Sequence, residues 1–416
     1  MKKAILLLGV FLFAFNLTTG KDLKSVNLSL ESQKNIYAPS GDACIQQLVH
    51  TESNLWLSIS NWGCFTDFWI SPYIELLYPA GSFPGGSNLE YLFLGALWVG
   101  GIVEGETLVS VGADGWLWNY EMFPDDCPEG GIKKIEEFGD QEFVAVYTDT
   151  LVNTGYDDPY DLRFHKPLNI EITQHSYSWI SPPYDDFVLL DYTIKNFGDK
   201  FISKAYIGFY MDTDILHLSN SSGWRDDITG FIEKLFEVPE GTKKIDLAWA
   251  ADNNGDLVRG QITPKSPIGV FGFKLLSSFN SEPKISYNWW VSEGYDPVNL
   301  DFGPWKKSNW DLWNNTYGIW CEGGKGTPCG DRAKYFLMSN GEFDYDQINT
   351  CIDQSDSGWL PPPAICADLA DGYDTRFLYS FGPFDIPAKD SISFVVGIIM
   401  GDSLHRGENP FDYHNP

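Results

Sequence analysis

The sequence predicts a mainly β protein: an antiparallel β-sandwich core with long irregular loops and few short helices. Three observations carry that prediction. Residues 186 to 196, DFVLLDYTIKN, have a period of two, with Val188, Leu190, Tyr192 and Ile194 alternating with Phe187, Leu189, Asp191 and Thr193. Similar apolar runs recur along the chain, joined by turns rich in Gly, Asn and Pro rather than by helical crossovers. Helical periodicity is scarce throughout.

Taken in order, the first twenty residues have the anatomy of a secretory signal peptide. Lys2 and Lys3 precede the apolar run Ala4–Phe15, and Thr18-Thr19-Gly20 forms a small-residue exit. The run is shorter than the roughly twenty residues that span a bilayer, so cleavage is expected over a retained anchor. Residues 21–165 form a Gly- and aromatic-rich β region, and 166–416 a β-sandwich domain with a loop-rich insertion at about 293–380. Within the second part, Asn196-Phe197-Gly198-Asp199 turns the chain into a return strand over 202–211. Further strands are expected at 245–251, 257–262, 269–276, 284–291 and 391–400. In the last, Phe394, Val396, Ile398 and Met400 share one face and Val395 and Ile399 the other, the pattern of a central strand in a covered sheet. Short helices are expected at 133–138 and 309–320. Trp289 and Trp290 fall on opposite sides of a strand, which places at least one in the core.

The chain has 28 Lys+Arg against 57 Asp+Glu, a formal net charge of −29. Such a chain repels phosphate backbones, which argues against nucleic-acid partners, and it supplies carboxylates for hard cations. Seven cysteines lack any C-x-x-C spacing, and an exported chain permits disulfides. Proximity suggests the pairs Cys44–Cys64, Cys321–Cys329 and Cys351–Cys366, with Cys127 left over.

Several phrases occur together: YPAGS with YLFLGALWVGGIVEGETLVS, DFVLLDYTIKN with YIGFYMDTD, WAADNNGD, ISYNWW and YFLMSNGEFDYDQ. Over roughly residues 60 to 405 the chain resembles a group of large secreted or cell-surface β-rich proteins of Gram-negative bacteria and candidate phyla. Members often carry a C-terminal sorting domain. The resemblance implies export and a β-rich fold, and no activity. This chain departs from the pattern by ending at GENPFDYHNP without a sorting domain, as a fragment or as a protein exported by another route.

Three constellations bear on chemistry. In AADNNGDL, Asp252, Asn254 and Asp256 imitate the first ligand positions of an EF-hand. Gly255 stands fourth rather than sixth, however, and Thr263 replaces the closing Glu, so an EF-hand is rejected. Asn254-Gly255 equally suits a type I′ hairpin turn. Asp212, Asp214, Asp226 and Asp227 also lie at strand ends. If those ends share one sandwich edge, the seven residues together form a calcium site; otherwise they are a solvated acidic loop.

The second constellation is Trp310, Trp313, Tyr317 and Trp320, spaced three, four and three. They make either a sugar-stacking face on a short helix or a lid over the core. The third is Glu342, Asp344 and Asp346, whose paired acids a glycosidase would use and a turn equally explains. The six histidines show no H-E-x-x-H, and there is no G-x-S-x-G, Walker loop or dinucleotide fingerprint. The expectation is therefore a secreted or cell-surface structural or adhesive protein, calcium-stabilised and self-assembling or bound to other surface proteins. The alternative is a carbohydrate-binding module or glycan-active enzyme acting on polysaccharide.

Overall fold

The structure, a computed structural model, describes residues 45–66, 79–114, 120–124, 131–152, 160–238, 241–278, 282–292, 301–318 and 325–405. The signal segment, Cys44, Cys127, Cys321 and Trp320 lie outside them.

In chain order the strands are β1 (Gln47–His50), β2 (Leu57–Ser60), β3 (Cys64–Thr66), β4 (Leu89–Glu90), β5 (Leu94–Val103), β6 (Glu106–Val111), β7 (Phe123–Pro124), β8 (Lys133–Ile135), β9 (Gln141–Thr148) and β10 (Ile170–Ser178). They continue as β11 (Phe187–Asn196), β12 (Ile202–Asp212), β13 (Leu216–His217), β14 (Asp227–Val238), β15 (Gly241–Asp252), β16 (Val270–Ser278), β17 (Lys284–Val291), β18 (Thr375–Ile386) and β19 (Ser391–Gly401). Among the described residues three short helices, α1 (Lys307–Thr316), α2 (Gly330–Ser339) and α3 (Cys366–Asp371), fall between β17 and β18.

A nine-stranded sheet runs β14-β15-β16-β19-β11-β10-β9-β7, with β8 also on β9. A six-stranded sheet runs β17-β18-β12-β5-β3, with β6 on β5. The pairings between strands in both sheets are antiparallel. Strands from either side of residue 165 pair in both sheets, β9 with β10 and β5 with β12.

The alternation in each strand explains the layers. Inward residues of the large sheet, among them Ile172, Leu190, Tyr192, Phe273 and Val396, meet Val99, Ile207, Phe209, Tyr287 and Tyr379 of the small one in a continuous core. The opposite face of the small sheet is buried as well. There Trp98, Tyr210, Trp290 and Leu378 pack against Trp305, Trp313, Ala333, Leu337 and Met338 from the α1–α2 region. Trp289 and Trp290 thus both enter cores, one on each side of β17. The small sheet is covered on both faces, while the large sheet turns one face to solvent.

Four local expectations change. Residues 133–135 form an edge strand rather than a helix, Lys134 opposite Phe143, because three residues laid against β9 gain a ladder that an isolated turn of helix cannot offer. The turn after β11 does not make a hairpin: β11 joins the large sheet and β12 the small one, so the chain arches over the core. Asn196 holds that arch, its Nδ2 donating to the carbonyls of Lys200 (2.7 Å) and Ile386 (3.0 Å). Beyond Asp256 there is only an isolated bridge between Val258 and Gln261, so no strand fills 257–262. β19 is central, but its face bearing Val395 and Ile399 is only partly covered.

Cys351 and Cys366 are joined by a disulfide. Cys329 is also disulfide-bonded, whereas Cys64 is a free, buried thiol. The expected bridge to Cys64 gives way to packing: β3 sets it opposite Ala96, among Trp62, Leu94 and Ala96. No helix among the described residues is long and apolar enough to cross a membrane.

Candidate metal centre

The register of β14 on β15 builds the centre. Asp227 opens β14, Asp252 closes β15, and the two are cross-strand partners. Both are fully buried. Asp226 precedes Asp227, and its carbonyl accepts the Asn253 N–H at 3.1 Å, which ties the two strand ends together. Beyond Asp252 the chain coils tightly. The Asp252 Oδ1 accepts the N–H groups of Asn254 (2.9 Å) and Gly255, and the Asn254 Oδ1 accepts that of Asp256 at 2.9 Å.

Positive φ falls at Gly255 (73°) and Asp256 (49°), one residue later than a type I′ Asn-Gly turn requires. The absent side chain at Gly255 makes room for His405, whose Cδ2 would lie 2.9 Å from a Cβ there. The His405 Nε2 donates to the Asp252 carbonyl at 2.8 Å. The result returns Asp256 toward Asp226 and Asp252, and one oxygen from each of the three carboxylates lies within 4.8 Å of the others.

Asn220 Nδ2 donates to the Asp256 Oδ2 at 2.8 Å. Among the described residues none of the three acids forms an ion pair. The second oxygen of Asp252, Oδ2, has no hydrogen-bond partner, and neither has the Oδ1 of Asp227, whose Oδ2 accepts the Ile215 N–H at 2.9 Å. Burial, reinforced by Asp226 and Asp256, pushes the Asp252 carboxyl up to about 8. Burial and then Asp256 and Asp371 push Asp226 up to about 6, while burial and Asp252 drive Asp227 well above the carboxylate range.

The other expected acids fall elsewhere. Asp212 and Asp214 group with Asp374, again within 4.8 Å, but a cation already serves that group. Arg376 lies 3.2 Å from Asp212 through Nε and 3.0 Å from Asp374 through Nη1. The seven expected residues therefore divide into a group partly offset by the single charge of Arg376 and one with no ion-pair partner among the described residues, with Asn254 committed to its turn. Asp374 and Arg376 escaped the sequence reading, although DTR at the start of a strand places acid and base two apart on one face. Buried acidic clusters in this fold could hold a metal ion, and among the described residues the second has no ion-pair partner.

The aromatic segment is largely structural. Trp313 is buried, edge-on to Phe336 at 5.3 Å and tilted against Tyr317 at 4.6 Å, while Trp310 meets Trp305 edge-on at 5.1 Å. α1 stops at Thr316, and Gly318 at φ 74° ends it, so no helical face extends to 320. Of the three described members of that row, Tyr317 at 38% exposure reaches solvent most, while Trp310 is half-buried. Glu342, Asp344 and Asp346 serve the backbone: they accept from Lys306 N–H (3.1 Å), Trp289 N–H (2.9 Å) and Phe231 N–H (2.9 Å) respectively.

The chain matches no protein-family model and no curated protein. Among solved structures it is similar to the Slr1438 protein from Synechocystis sp. PCC 6803, at 9% identity and a TM-score of 0.30, covering 88% of this chain and 99% of that one. A likeness of that size carries no functional argument.

Proposed function

We propose that this is a secreted or cell-surface β-sandwich protein with a structural or adhesive role, in which calcium held by Asp226, Asp252 and Asp256 clamps one edge of the large sheet. The observation that supports the reading is the buried Asp252 Oδ2, left without a hydrogen bond beside two further carboxylates, with no ion pair to any of the three among the described residues. A buried, unsatisfied carboxylate oxygen is costly, and a cation removes that cost while lowering the repulsion among its neighbours. Oxygen-only donors in a loop of mixed geometry suit calcium, which takes roughly six to eight oxygens, the remainder from carbonyls and water. Nothing in the group offers the nitrogen or sulfur that zinc favours.

The disulfide and the leader-like first twenty residues support an oxidising, extracellular setting. Surface proteins, including further copies of this chain, are the partners this role implies. The test is thermal unfolding of metal-stripped protein with calcium, magnesium or EDTA. Calcium raises the melting temperature by several degrees and magnesium does so less; equal melting in calcium and EDTA would sink the reading.

A further inference from the structure

We propose a second site, remote from the acidic edge: a platform for a neutral polysaccharide chain on the solvent face of the large sheet, centred on Tyr177 and Trp179. β10 alternates with Ile170, Ile172, Gln174, Ser176 and Ser178 buried, which turns Thr173, His175 and Tyr177 outward, and Trp179 continues the row. Successive rings are nearly parallel and evenly spaced, His175 to Tyr177 at 6.1 Å and 18°, Tyr177 to Trp179 at 6.3 Å and 23°. Phe138 stands edge-on to both Tyr177 and Trp179, at 5.5 and 5.8 Å, and Phe187 extends the surface from Trp179 at 5.6 Å.

Phe138 is 70% exposed and Tyr184 55%. A large ring left in water is ordinarily mobile, yet the Phe138 loop is fastened. Glu142, itself 2% exposed, accepts the N–H groups of Glu137 (3.3 Å) and Phe138 (3.1 Å) through Oε2. Asp140 donates its N–H to the Ser178 carbonyl (3.0 Å) and accepts the Ile180 N–H through Oδ2 (2.8 Å). A buried carboxylate thus holds an apolar ring out in solvent, a pre-organised surface of the kind that reduces the ordering cost of binding.

The occupant follows from charge and repeat. Carboxylates at Glu137, Asp140 and Asp191 border the rings, and the whole chain carries −29, so phosphate or sulfate polymers are repelled. A row of aromatic rings along one strand suits a linear polymer whose units each present an apolar ring face. The bordering carboxylates accept from its hydroxyl groups. The platform lies on β9, β10 and β11, separated from β14 and β15 by β19 and β16, so it does not depend on the calcium reading.

The test is affinity electrophoresis of the full chain through gels containing soluble glucan, glucomannan, xylan or galactan, alongside sedimentation with cellulose and chitin. Wild type is expected to be retarded by at least one of these. Trp179→Ala and Phe138→Ala should each weaken that binding about tenfold or more, Trp179→Phe should retain most of it, and Leu312→Ala on α1 should leave it unchanged. All variants should melt close to wild type, as befits surface residues. Absence of wild-type binding to every polysaccharide overturns the proposal, as does equal binding by Trp179→Ala and Phe138→Ala. So does a change in oligomer mass on Phe138→Ala without polysaccharide binding.

Discussion

Asp227 and Asp252 face each other across β14 and β15 with no exposed surface on either, and each keeps one carboxylate oxygen without a hydrogen bond. Like charges directly opposite in a sheet destabilise it. Among the described residues neither is offset by a basic partner, in contrast with Asp212 at the end of β12 and Asp374 just before β18, which share Arg376 in the small sheet. Folding around the pair therefore requires that repulsion to be relieved, and burial with the neighbouring acids raises both carboxyls toward the protonated form.

That requirement has a pH signature. Asp252 at about 8 and Asp226 at about 6 both lie above the 3.8 of a free carboxyl, so the folded protein keeps protons that the unfolded chain has released. Their contribution to stability is greatest near pH 4 and is lost as pH rises through 6 and 8. Metal-stripped protein is expected to melt on the order of 5 °C lower at pH 8.5 than at pH 5.5, and calcium should close most of that gap. Calorimetry at the two pH values, with and without EDTA, checks it; a gap unaffected by calcium would separate the proton effect from any metal.

Asp252→Asn should act in opposite directions on the two states. Removing a buried charge raises the melting temperature of the metal-free protein at pH 8, because the amide can still serve the turn through its carbonyl. The same change removes a ligand, so the calcium increment should fall to near zero. A variant that keeps the wild-type increment would place the cation elsewhere.

How far this was legible in the sequence depends on the range of the interaction. β11 could be read from Val188, Leu190, Tyr192 and Ile194 because period two is a local property. Its partner could not, since Asn196–Asp199 looks the same whether it closes a hairpin or arches between sheets. The acids at 226, 252 and 256 were visible as candidates because short loops carry them. Their separation from Asp212 was not, because the residue that divides them, Arg376, is 164 positions from Asp212. The Trp313 spacing correctly marked a helix, but the spacing of a helix face does not say whether core or solvent lies opposite.

Arg376→Met tests the division directly. The guanidinium is buried between two carboxylates, and its removal leaves both without compensation. A loss of about 3–5 kcal/mol is expected in urea unfolding, as for other broken buried ion pairs. The calcium response at Asp226, Asp252 and Asp256 should survive in whatever fraction remains folded.

Trp313→Ala separates the two aromatic regions. At 2% exposure between Phe336 and the outer face of the small sheet, its loss opens a cavity and should cost about 3–5 kcal/mol. Polysaccharide retention of the folded protein should not change, whereas Trp179→Ala is expected to show the reverse pattern. Measured together, unfolding and retention give two independent axes for the two tryptophans.

The disulfide bears on the acidic edge through Gln347. Cys351 and Cys366 close a loop of sequence separation 15, bringing α3 beside the turn that carries Gln347. The Gln347 amide donates to the carbonyls of Asp227 (3.1 Å) and Leu369 (3.0 Å), and its oxygen accepts the Thr229 N–H (3.1 Å) and the Thr375 hydroxyl (3.0 Å). At the end of α3, the Asp371 carbonyl accepts from Asn253 Nδ2, next to Asp252. Opening this staple by Cys351→Ser with Cys366→Ser should cost about 3 kcal/mol through the freed loop. Because the loop also braces the backbone that carries Asp227 and Asn253, calcium affinity should weaken several-fold in the same variant. Isothermal titration at equal folded concentration distinguishes the outcomes: unchanged affinity with lowered stability would confine the disulfide to the unfolded chain. Cys64, free and buried, should stay unreactive to thiol reagents until the sandwich unfolds.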